Sequence, residues 1–552
     1  MGELKQSYVN LLSTYQAAIA SFGFVLILTI MLGFFASFSI VHNQLAVMIP
    51  SKYSCESLPD TDVTDADSTY SSEKITDGLL RRRSFPVLNV HEEGFYDQVE
   101  EYNYSKAIDP TGDSQYSASY DDDTDIFPKD DLDAVPAGPT KYFEAPPYIG
   151  EPNSTSCACE KQNALLKVFM YDLPQEFHFG MIEPMESNEQ VWPKNLTHLA
   201  SYPRGIYEQH SPEYWLTLDL LTNSEVEVFH DLRSLKRENP CGAFRVKNES
   251  EADVLFVPFF SSLSYNKYRM REANVELQKK LVRFLQRTQS WKKSEGRDHI
   301  ILMHHPNSLH WARQQLKNAV FIVADFGRFP GSIANLDKDI VAPYQHLIPS
   351  LENDDFEDPF SSYEARKILL FFQGALFRKK GGVIRRRLYQ ILKNETKVVF
   401  KSGHADIQGV EGATIGMRSS KFCLHLAGDT PSSNRLFDAI SSHCIPVIIS
   451  ERLELPYESI IDYTEFCIFV KYGDALKAGF IVDLLQKIGK QEWSILWKNL
   501  RSVQKHFEYH FPSQRDDAVQ MIWKSVFQKL PRIRQSLHRS QRYVKSQTYL
   551  VR

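Results

Sequence analysis

The feature that most constrains the fold is a regular alternation of short apolar runs with amphipathic segments, which begins near Lys161. The runs LLKVFMYDLP, ADVLFVPFF, DHIILMHHP and NAVFIVADFG are short and end in polar or turn-forming residues, as buried strands do. Between them, SPEYWLTLDLL and VELQKKLVRFLQRTQSW carry apolar residues at helical spacing. Strands that alternate with helices predict right-handed βαβ units around a parallel sheet.

Polar side chains follow several of these strands directly. In open parallel sheets, ligands bind beyond the carboxyl ends of the strands. The pattern therefore places Asp172, His304, His305 and Asp325 at the edge of the sheet where chemistry is expected.

The alternation resumes after a polar, acidic loop, LIPSLENDDFEDPFSSYEAR. The runs ILLFFQG, KVVFKSG, KFCLHLA and IPVIIS predict further strands, and RRRLYQILK predicts a helix between the first two. We expect two α/β halves that face a cleft, an N-terminal one at 161–355 and a C-terminal one at 356–510. Amphipathic helices and a basic tail follow at 511–552.

Residues 17–41 form an uncharged apolar run, which is long enough to cross a hydrocarbon core of ~30 Å as one helix. We predict a retained transmembrane anchor, because a cleaved signal peptide usually has a shorter apolar core and a positive lead-in. Residues 1–16 would then be a cytosolic tail. Residues 42–160 are mostly acidic and small polar residues without an apolar period, which favours a disordered stem.

Charge, sequons and cysteines limit the partners and the compartment. A net charge of −6 argues against a general nucleic-acid binder. The seven cysteines form neither a disulfide framework nor a zinc pattern, so we expect one or two structural disulfides and leave the pairing open. All Asn-X-Ser/Thr sequons of the chain lie after the apolar run, which fits a lumenal body. They are at Asn103, Asn153, Asn195, Asn248 and Asn394.

The stretch GDTPSSNRLFDAISSHCIPVIIS combines a polar turn, a short helix and a buried strand. We expect Thr430 or Ser432 to cap the helix, with Pro431 in its first turn. Arg435 and Asp438 would share one face of that helix, since positions three apart are neighbours. An arginine for a diphosphate and a carboxylate for a ribose diol would describe a nucleotide site. The alternative is an ordinary capped helix in which the two side chains pair with each other.

The motifs VFMYDLP, QHSPEYW, ADVLFVPFF, DHIILMHHPN, DFGR, LLFFQGALFRKKGGVIRRRLY, GDTPSSNRLFDAI and ELPYE, taken together and in order, resemble the exostosin-like glycosyltransferases of plant cell-wall synthesis. They cover most of the chain from Lys161 to about Val470. HHPNSLHWA and DFGRF are most similar to the arabinan arabinosyltransferase-like branch. The resemblance implies a GT-B fold of two Rossmann-like halves, with the nucleotide-sugar in the C-terminal half and the acceptor in the other. It also implies inverting transfer without a catalytic metal or other cofactor.

Carried over residue by residue, the resemblance implies donor-binding roles for one set of side chains. Glu454 of ELPYE would lie near the sugar, and the others are Gly374, Arg385, Ser432, Ser433, Arg435 and Asp438. The chain departs from the family pattern at His443, where glycine is frequent, and at Glu451, where aspartate often stands. Both departures weaken a close match in substrate.

An inverting displacement needs a base within about 3 Å of the acceptor hydroxyl. The first candidates for this base are Glu213, His305 and Asp325, and His304 and His210 are second choices. Each has a structural alternative, in which Glu213 only complements a helix start, the histidines only end a strand and Asp325 only caps a turn.

These features together predict a Golgi enzyme, a single-pass type II membrane protein with a lumenal body, that transfers a sugar from a UDP-sugar to a cell-wall polysaccharide. Arabinose and pectic arabinan are the preferred sugar and acceptor. The alternatives are xylose, galactose or glucuronic acid on hemicellulose, and a non-catalytic subunit that anchors a related transferase. Homo-oligomers or hetero-oligomers with related transferases are compatible with either interpretation.

Two other enzyme classes share letters with this chain. Asp325-Phe326-Gly327 spells the DFG of protein kinases. The His-Arg-Asp of a kinase catalytic loop is absent upstream of it, however, and so is a G-x-G-x-x-G loop. Asp337-Lys338-Asp339 spells the Asp-X-Asp of metal-dependent GT-A transferases, and we interpret it as a solvated loop.

Overall fold

The computed structural model describes residues 159–550, apart from 196–198, 227, 230–240, 328, 352–360, 378–381 and 405, and for 543–550 only the backbone. All of these residues lie in one compact unit, Ala137–Arg552. The predicted tail, membrane anchor and stem, apart from the last two stem residues, lie outside the described residues, as do Asn103 and Asn153. Within the described part, no helix combines the length and the apolar character that a membrane crossing requires.

The first half is built on a six-stranded, fully parallel sheet with the order β2-β1-β3-β4-β5-β6. All residues of β2 to β5 are buried, as expected for strands that are covered by helices on both faces. The strands are β1 (Leu166–Met170), β2 (Ala243–Val246), β3 (Val254–Val257), β4 (His299–Leu302), β5 (Val320–Val323) and β6 (Ile340–Val341).

Helices and short 3-10 turns connect these strands. In α4, Leu277, Leu281 and Leu285 recur every four residues and are buried in the hydrophobic core, which is the predicted amphipathic pattern. The helices are α1 (Phe179–Ile182), α2 (Pro212–Thr222), α3 (Ser261–Tyr268), α4 (Glu272–Arg287) and α5 (Gln289–Ser294).

The second half repeats the topology of the first. Its parallel sheet has the order β11-β10-β9-β7-β8, and its first strand β7 again lies between its second strand β8 and its third strand β9. The predicted pair of Rossmann-like halves is thereby confirmed. The strands are β7 (Ile368–Gln373), β8 (Val398–Lys401), β9 (Ser420–Leu426), β10 (Ile445–Ile449) and β11 (Ile468–Phe469).

Helix α7 approaches its sheet closely because a glycine faces the strand. A Cβ atom on Gly416 would lie 2.1 Å from the ring of Phe371 in β7, so only glycine permits this distance. The helices of this half are α6 (Val383–Leu392), α7 (Ile407–Arg418), α8 (Arg435–Ser441), α9 (Tyr472–Ala475), α10 (Phe480–Lys487) and α11 (Lys490–Val503), and α12 (Ala518–Leu550) follows in the C-terminal segment.

Two pairs of cysteines, whose pairing the sequence left open, form disulfides. Cys159 bonds to Cys241, and Cys423 in β9 bonds to Cys444 just before β10. The second bond closes a 21-residue separation that contains the whole GDTPSSNRLFDAISS segment. Cys467 is a buried free thiol.

The end of the chain returns to the first half and is held there by Asp219 of α2. This buried carboxylate accepts hydrogen bonds from Trp523 Nε1 at 2.8 Å, from Ser513 Oγ at 2.6 Å and from Asn223 Nδ2 at 3.0 Å. Two of these donors lie about 300 residues further along the chain, so one carboxylate fastens the C-terminal segment to the N-terminal half.

We expect Asp219→Ala to lower the free energy of unfolding by about 3 kcal/mol, because it leaves several buried donors without an acceptor. Thermal and denaturant unfolding of the purified protein measure the change. Asp474→Ala is the control, since that partly exposed carboxylate makes a surface ion pair with Lys477 and its loss should leave the midpoint nearly unchanged. Equal midpoints for both variants would contradict the role of Asp219.

Candidate active site

The two halves meet through a buried hydrogen bond between their carboxyl edges. Asp325 follows β5, and Ser432 lies in the turn after β9. One oxygen of the Asp325 carboxylate accepts from the backbone N–H of Ser432 at 3.1 Å and from its hydroxyl. The other oxygen accepts from Gly327 N at 2.9 Å. The predicted position of Asp325 at the edge of the sheet is therefore correct, and its partner comes from the opposite half.

Tyr344 extends this contact. Its hydroxyl lies 2.8 Å from Ser432 Oγ. Because the Ser432 hydroxyl donates to the Asp325 carboxylate, Tyr344 must donate to Ser432, so the hydrogen bonds run in one direction. Burial raises the pKa of Tyr344, which keeps the phenol protonated and able to donate.

Two histidines of the first half pack against the ring of Tyr344, and a third histidine packs against one of them. His210 and His304 have ring centroids 5.1 and 5.0 Å from it, and His305 lies 4.7 Å from His210. The Nδ1 atoms of His210 and His304 are 2.9 Å apart. Burial lowers the pKa of His304 to about 4, and burial together with the other two histidines holds the pKa of His210 well below its ordinary value.

The predicted helix start in the GDTPSSNRLFDAI stretch is wrong. Helix α8 begins at Arg435 with Asn434 at the N-cap, rather than with Pro431 in its first turn. The physical reason is tertiary: the N–H and hydroxyl of Ser432 bond to Asp325 and do not start a helix.

Arg435 and Asp438 do pair, with Arg435 Nη1 2.8 Å from Asp438 Oδ2. The buried Asp438 also accepts from the backbone N–H of Leu347 at 2.7 Å, in the segment that connects the two sheets. The pairing that the second alternative expected is therefore observed, but with a buried Asp438 rather than on the surface, and the nucleotide-binding role of both residues stays a prediction. The guanidinium nevertheless stays near the Ser432 turn and is partly exposed, with 17% of its side-chain surface accessible.

Arg385 lies at the topological switch point of the second sheet, between the ends of β7 and β9. Its guanidinium donates to the carbonyls of Ala375 at 3.1 Å, Leu426 at 3.0 Å and Ala427 at 2.9 Å. Gly374 lies beside it, and a Cβ atom there would be 3.5 Å from Arg385 Nη1. Arg385 thus holds together the ends of the two strands that border the crevice in which doubly wound sheets bind ligands.

Glu213 is buried at the start of α2 and caps another helix. Its carboxylate accepts from the backbone N–H groups of Ser262 and Leu263, both at 3.0 Å, and from Tyr202 Oη at 3.1 Å. Burial raises the pKa of Glu213 to about 7, against the opposing effect of these hydrogen bonds.

The remaining predicted residues are less confined. Ser433 Oγ accepts from Arg435 N at 3.4 Å. Glu454 is half-buried. Its burial, and to a smaller extent the charge of Glu458, raises its pKa. His305 Nδ1 accepts from Asn307 N at 3.1 Å. The catalytic and donor-binding roles of all these residues stay predictions.

The Asp-X-Asp letters of the GT-A alternative lie in a structural loop. Asp339 is buried, pairs with Lys338 at 2.6 Å and accepts from Phe321 N and Asn335 N at 2.7 and 2.8 Å. Asp337 pairs with Arg532 at 3.7 Å. Both carboxylates are thus bound to groups of the chain itself.

Sequence reasoning missed Tyr344 and Ser262. Tyr344 lies outside every predicted strand and motif, and Ser262 Oγ accepts from His305 N at 3.1 Å although it stands 43 positions away. No local pattern marks either residue, because their partners come from distant segments.

A model of the exostosin GT47 domain matches residues 162–485, which is more than half of the chain. The chain belongs to the exostosin GT47 family. The predicted family is confirmed, and this GT47 protein is a glycosyltransferase whose family domain spans both sheets described above.

Relatives of this GT47 protein indicate to which branch of the family it is most similar. ARAD1 of Arabidopsis thaliana, named as a probable arabinosyltransferase, is 38% identical over 388 residues, which cover 69% of this chain and 82% of ARAD1. IRX7 of Arabidopsis thaliana, named as a probable glucuronoxylan glucuronosyltransferase, is 23% identical over 396 residues, or 66% of this chain and 77% of IRX7. The predicted arabinosyltransferase-like branch is confirmed by the first match.

Among solved structures, Anabaena Alr3699/HepE in complex with UDP and glucose aligns with 66% of this chain and 99% of its own, at 10% identity and a TM-score of 0.31.

We expect the stability of this protein to fall between about pH 4.5 and pH 7 through Glu213. The folded state keeps a proton there that the unfolded state releases, because the folded pKa of about 7 lies above the ordinary 4.5. The loss amounts to about 3 kcal/mol once the pH exceeds the folded value. Unfolding free energies of the wild type and Glu213→Gln at pH 5 and pH 7.5 measure it.

The amide introduced by Glu213→Gln cannot titrate, so the difference in stability between wild type and variant should shift against the wild type at the higher pH. Glu364→Gln is the matched control, because Glu364 is exposed and pairs with Lys490 on the surface. Parallel pH curves for wild type and Glu213→Gln would refute the raised pKa.

Proposed function

We propose that this protein is an inverting Golgi glycosyltransferase that moves a sugar, arabinose in preference, from a UDP-sugar to a cell-wall polysaccharide such as pectic arabinan. The sugar and acceptor rest on the relationship to ARAD1, which is named as a probable arabinosyltransferase. The donor side rests on the geometry around Ser432.

The observation that carries the donor site is that Arg435 is held beside the Ser432 turn, as a partly exposed cation, by its ion pair with the buried Asp438. The turn itself is fixed by the N–H and hydroxyl of Ser432, which donate to Asp325 and are therefore not offered to a phosphate. A pre-positioned cation of this kind stabilises the charge that develops on a departing diphosphate.

The nucleotide-sugar would occupy the crevice beside Arg385, and Gly374, Ser433 and Glu454 are the other residues predicted to contact it. The switch point between β7 and β9 is where sheets of this topology bind nucleotides. The acceptor would approach from the first half, whose carboxyl edge carries Glu213, His305 and Asp325 as the predicted bases. We propose no metal for this reaction, and activity that disappears with EDTA and returns with manganese would overturn that view.

Two alternatives differ from this proposal, and only the first has support among the relatives. IRX7 is named as a probable glucuronoxylan glucuronosyltransferase, which supports glucuronic acid as a second choice of sugar, beside xylose or galactose on hemicellulose. A non-catalytic partner of a related transferase is the other. UDP-sugar binding without turnover, restored by co-expression with a relative, would favour the partner role.

We place the body in the Golgi lumen, behind a membrane anchor at residues 17–41. Asn248 and Asn394 are exposed in the structure, and Asn195 is half-buried, so at least the first two can be reached by the glycosylation machinery.

We expect Arg435→Ala to lower kcat with the preferred UDP-sugar by about 10²–10³-fold, because it removes a positive charge at the departing diphosphate. A panel of UDP-sugars and oligosaccharide acceptors, assayed with purified protein, identifies the substrate and measures the loss. Arg452→Ala is the control, since Arg452 is exposed beyond β10.

Because the buried Asp438 loses its charged partner in Arg435→Ala, thermal melting accompanies the assay and separates misfolding from lost chemistry. A folded Arg435→Ala variant with full turnover would discard the assignment of the donor site.

We expect glycosidase treatment of the protein expressed in plant cells to increase its electrophoretic mobility, and Asn248→Gln and Asn394→Gln each to remove part of that shift. Both side chains are exposed, so both sequons accept a glycan in a lumenal protein. A wild-type protein without any shift would argue against a lumenal body.

A further inference from the structure

The buried pair of His210 and His304 has a directional hydrogen bond that the proposed function does not use. His210 ends the 3-10 turn Gly205–His210, and His304 follows β4 by two residues. Their Nδ1 atoms are 2.9 Å apart, and the residues are only 4% and 1% exposed. The pair lies against Tyr344, which bonds to Ser432 of the donor turn.

The surroundings assign the protons of both rings. His304 Nε2 faces the carbonyl oxygen of Ala342 at 3.3 Å, and because a carbonyl only accepts, the proton of His304 is on Nε2. His304 Nδ1 is then an acceptor, so His210 must donate through its own Nδ1. The low pKa values of both rings mean that each carries one proton. His210 therefore keeps an unprotonated lone pair on Nε2.

Other groups at this edge are engaged differently. In a neutral His305, Nδ1 accepts from Asn307 N, so the ring proton is on Nε2. The oxygens of Asp325 accept from Ser432 and Gly327, and those of Glu213 accept from the start of α3. His210 Nε2 is thus an unprotonated ring nitrogen that takes no part in the hydrogen bonds among these groups and can accept a proton.

We propose that His210 is the catalytic base of the transfer and that His304 is its positioning residue. This inference rests on the proposed function, namely inverting transfer from a UDP-sugar. His210 Nε2 takes the proton of the acceptor hydroxyl as that oxygen bonds to C1 of the donor sugar. The bond between C1 and the diphosphate oxygen breaks, and UDP leaves with the bonding electron pair. His304 Nδ1 accepts from His210 throughout, which fixes the tautomer and stabilises the imidazolium that forms.

The pH dependence of the base follows from the groups that face it. His304, His305 and Tyr344 pack against the ring, and Asp325 lies beyond His304, whose pKa it raises. Burial and the two histidines lower the pKa of His210. A base must be unprotonated to act, so kcat/KM should decline only at a pH below the ordinary histidine value of 6.5.

The kinetic experiment compares variants of the full chain with the donor and acceptor that the substrate panel identifies. We expect His210→Gln to lower kcat by about 10²–10⁴-fold while the Kd for UDP stays within about twofold, since only proton transfer is lost. We expect His304→Asn to keep most activity, because its amide can still accept from His210 and donate to Ala342. His304→Leu, which cannot, should lose about 10²-fold and show an altered acid limb in its pH profile.

His299→Gln is the matched control, since His299 is a fully buried histidine at the other end of β4, bonded to Tyr171. It measures the general cost of removing a buried imidazole and should leave kcat and the pH profile unchanged. Turnover of a folded His210→Gln at the wild-type rate would overturn the proposal while leaving the proposed function intact. A wild type that neither binds UDP nor turns over any donor would overturn the proposed function first, and the base with it.

A second measurement needs no turnover. Long-range ¹H–¹⁵N spectra of histidine-labelled protein report which ring nitrogen carries the proton, and the variants above assign the signals. We expect the proton on Nδ1 of His210 and on Nε2 of His304. A His210 protonated on Nε2 has no lone pair there, and that result would overturn the proposal even if every variant were inactive.

Discussion

The hydrogen bonds between Asp325 and Ser432 are the interaction on which the rest of the site depends. A buried carboxylate is costly unless donors replace its water. Here the N–H and hydroxyl of Ser432 and the N–H of Gly327 replace it, and each bond to a charged group contributes about 1.5–3 kcal/mol. Because the donors come mainly from one half and the carboxylate from the other, satisfying this charge brings the two carboxyl edges together.

The hydrogen bonds around this contact form a chain in which each hydroxyl donates to the next group. Tyr344 donates to Ser432, which donates to Asp325, while Asp438 accepts from Leu347 in the same connecting segment. The ring of Tyr344 also lies against Phe437 of α8 at 5.7 Å. The segment that joins the sheets is thus anchored to the turn that carries Ser432 and to the pair of His210 and His304. In the proposed transfer, Tyr344 would connect the donor side of the site with the histidine that accepts the proton.

Much of the architecture could be predicted from local pattern. Periodicity predicted eight of the eleven strands in the described residues and missed β2, β6 and β11, two of which are only two residues long. The rule for carboxyl ends placed His304, His305 and Asp325 at the correct edge, since it depends on neighbouring residues only. The start of α8 was predicted wrongly because Ser432 satisfies a distant carboxylate instead of capping the helix. The pairing of Arg435 with Asp438 was one of two open alternatives, and the choice needed the rotamers of the folded chain.

The sequence by itself determined two doubly wound sheets, their order along the chain and membership of the exostosin GT47 family, because apolar spacing and motif letters are properties of short segments. Only the tertiary structure decided which groups meet and which protons they carry. Asp325 and Ser432 are 107 positions apart, and His210 and His304 are 94 apart. The tautomers and shifted pKa values arise from desolvation and from neighbours on other segments, which exist only once both sheets are packed.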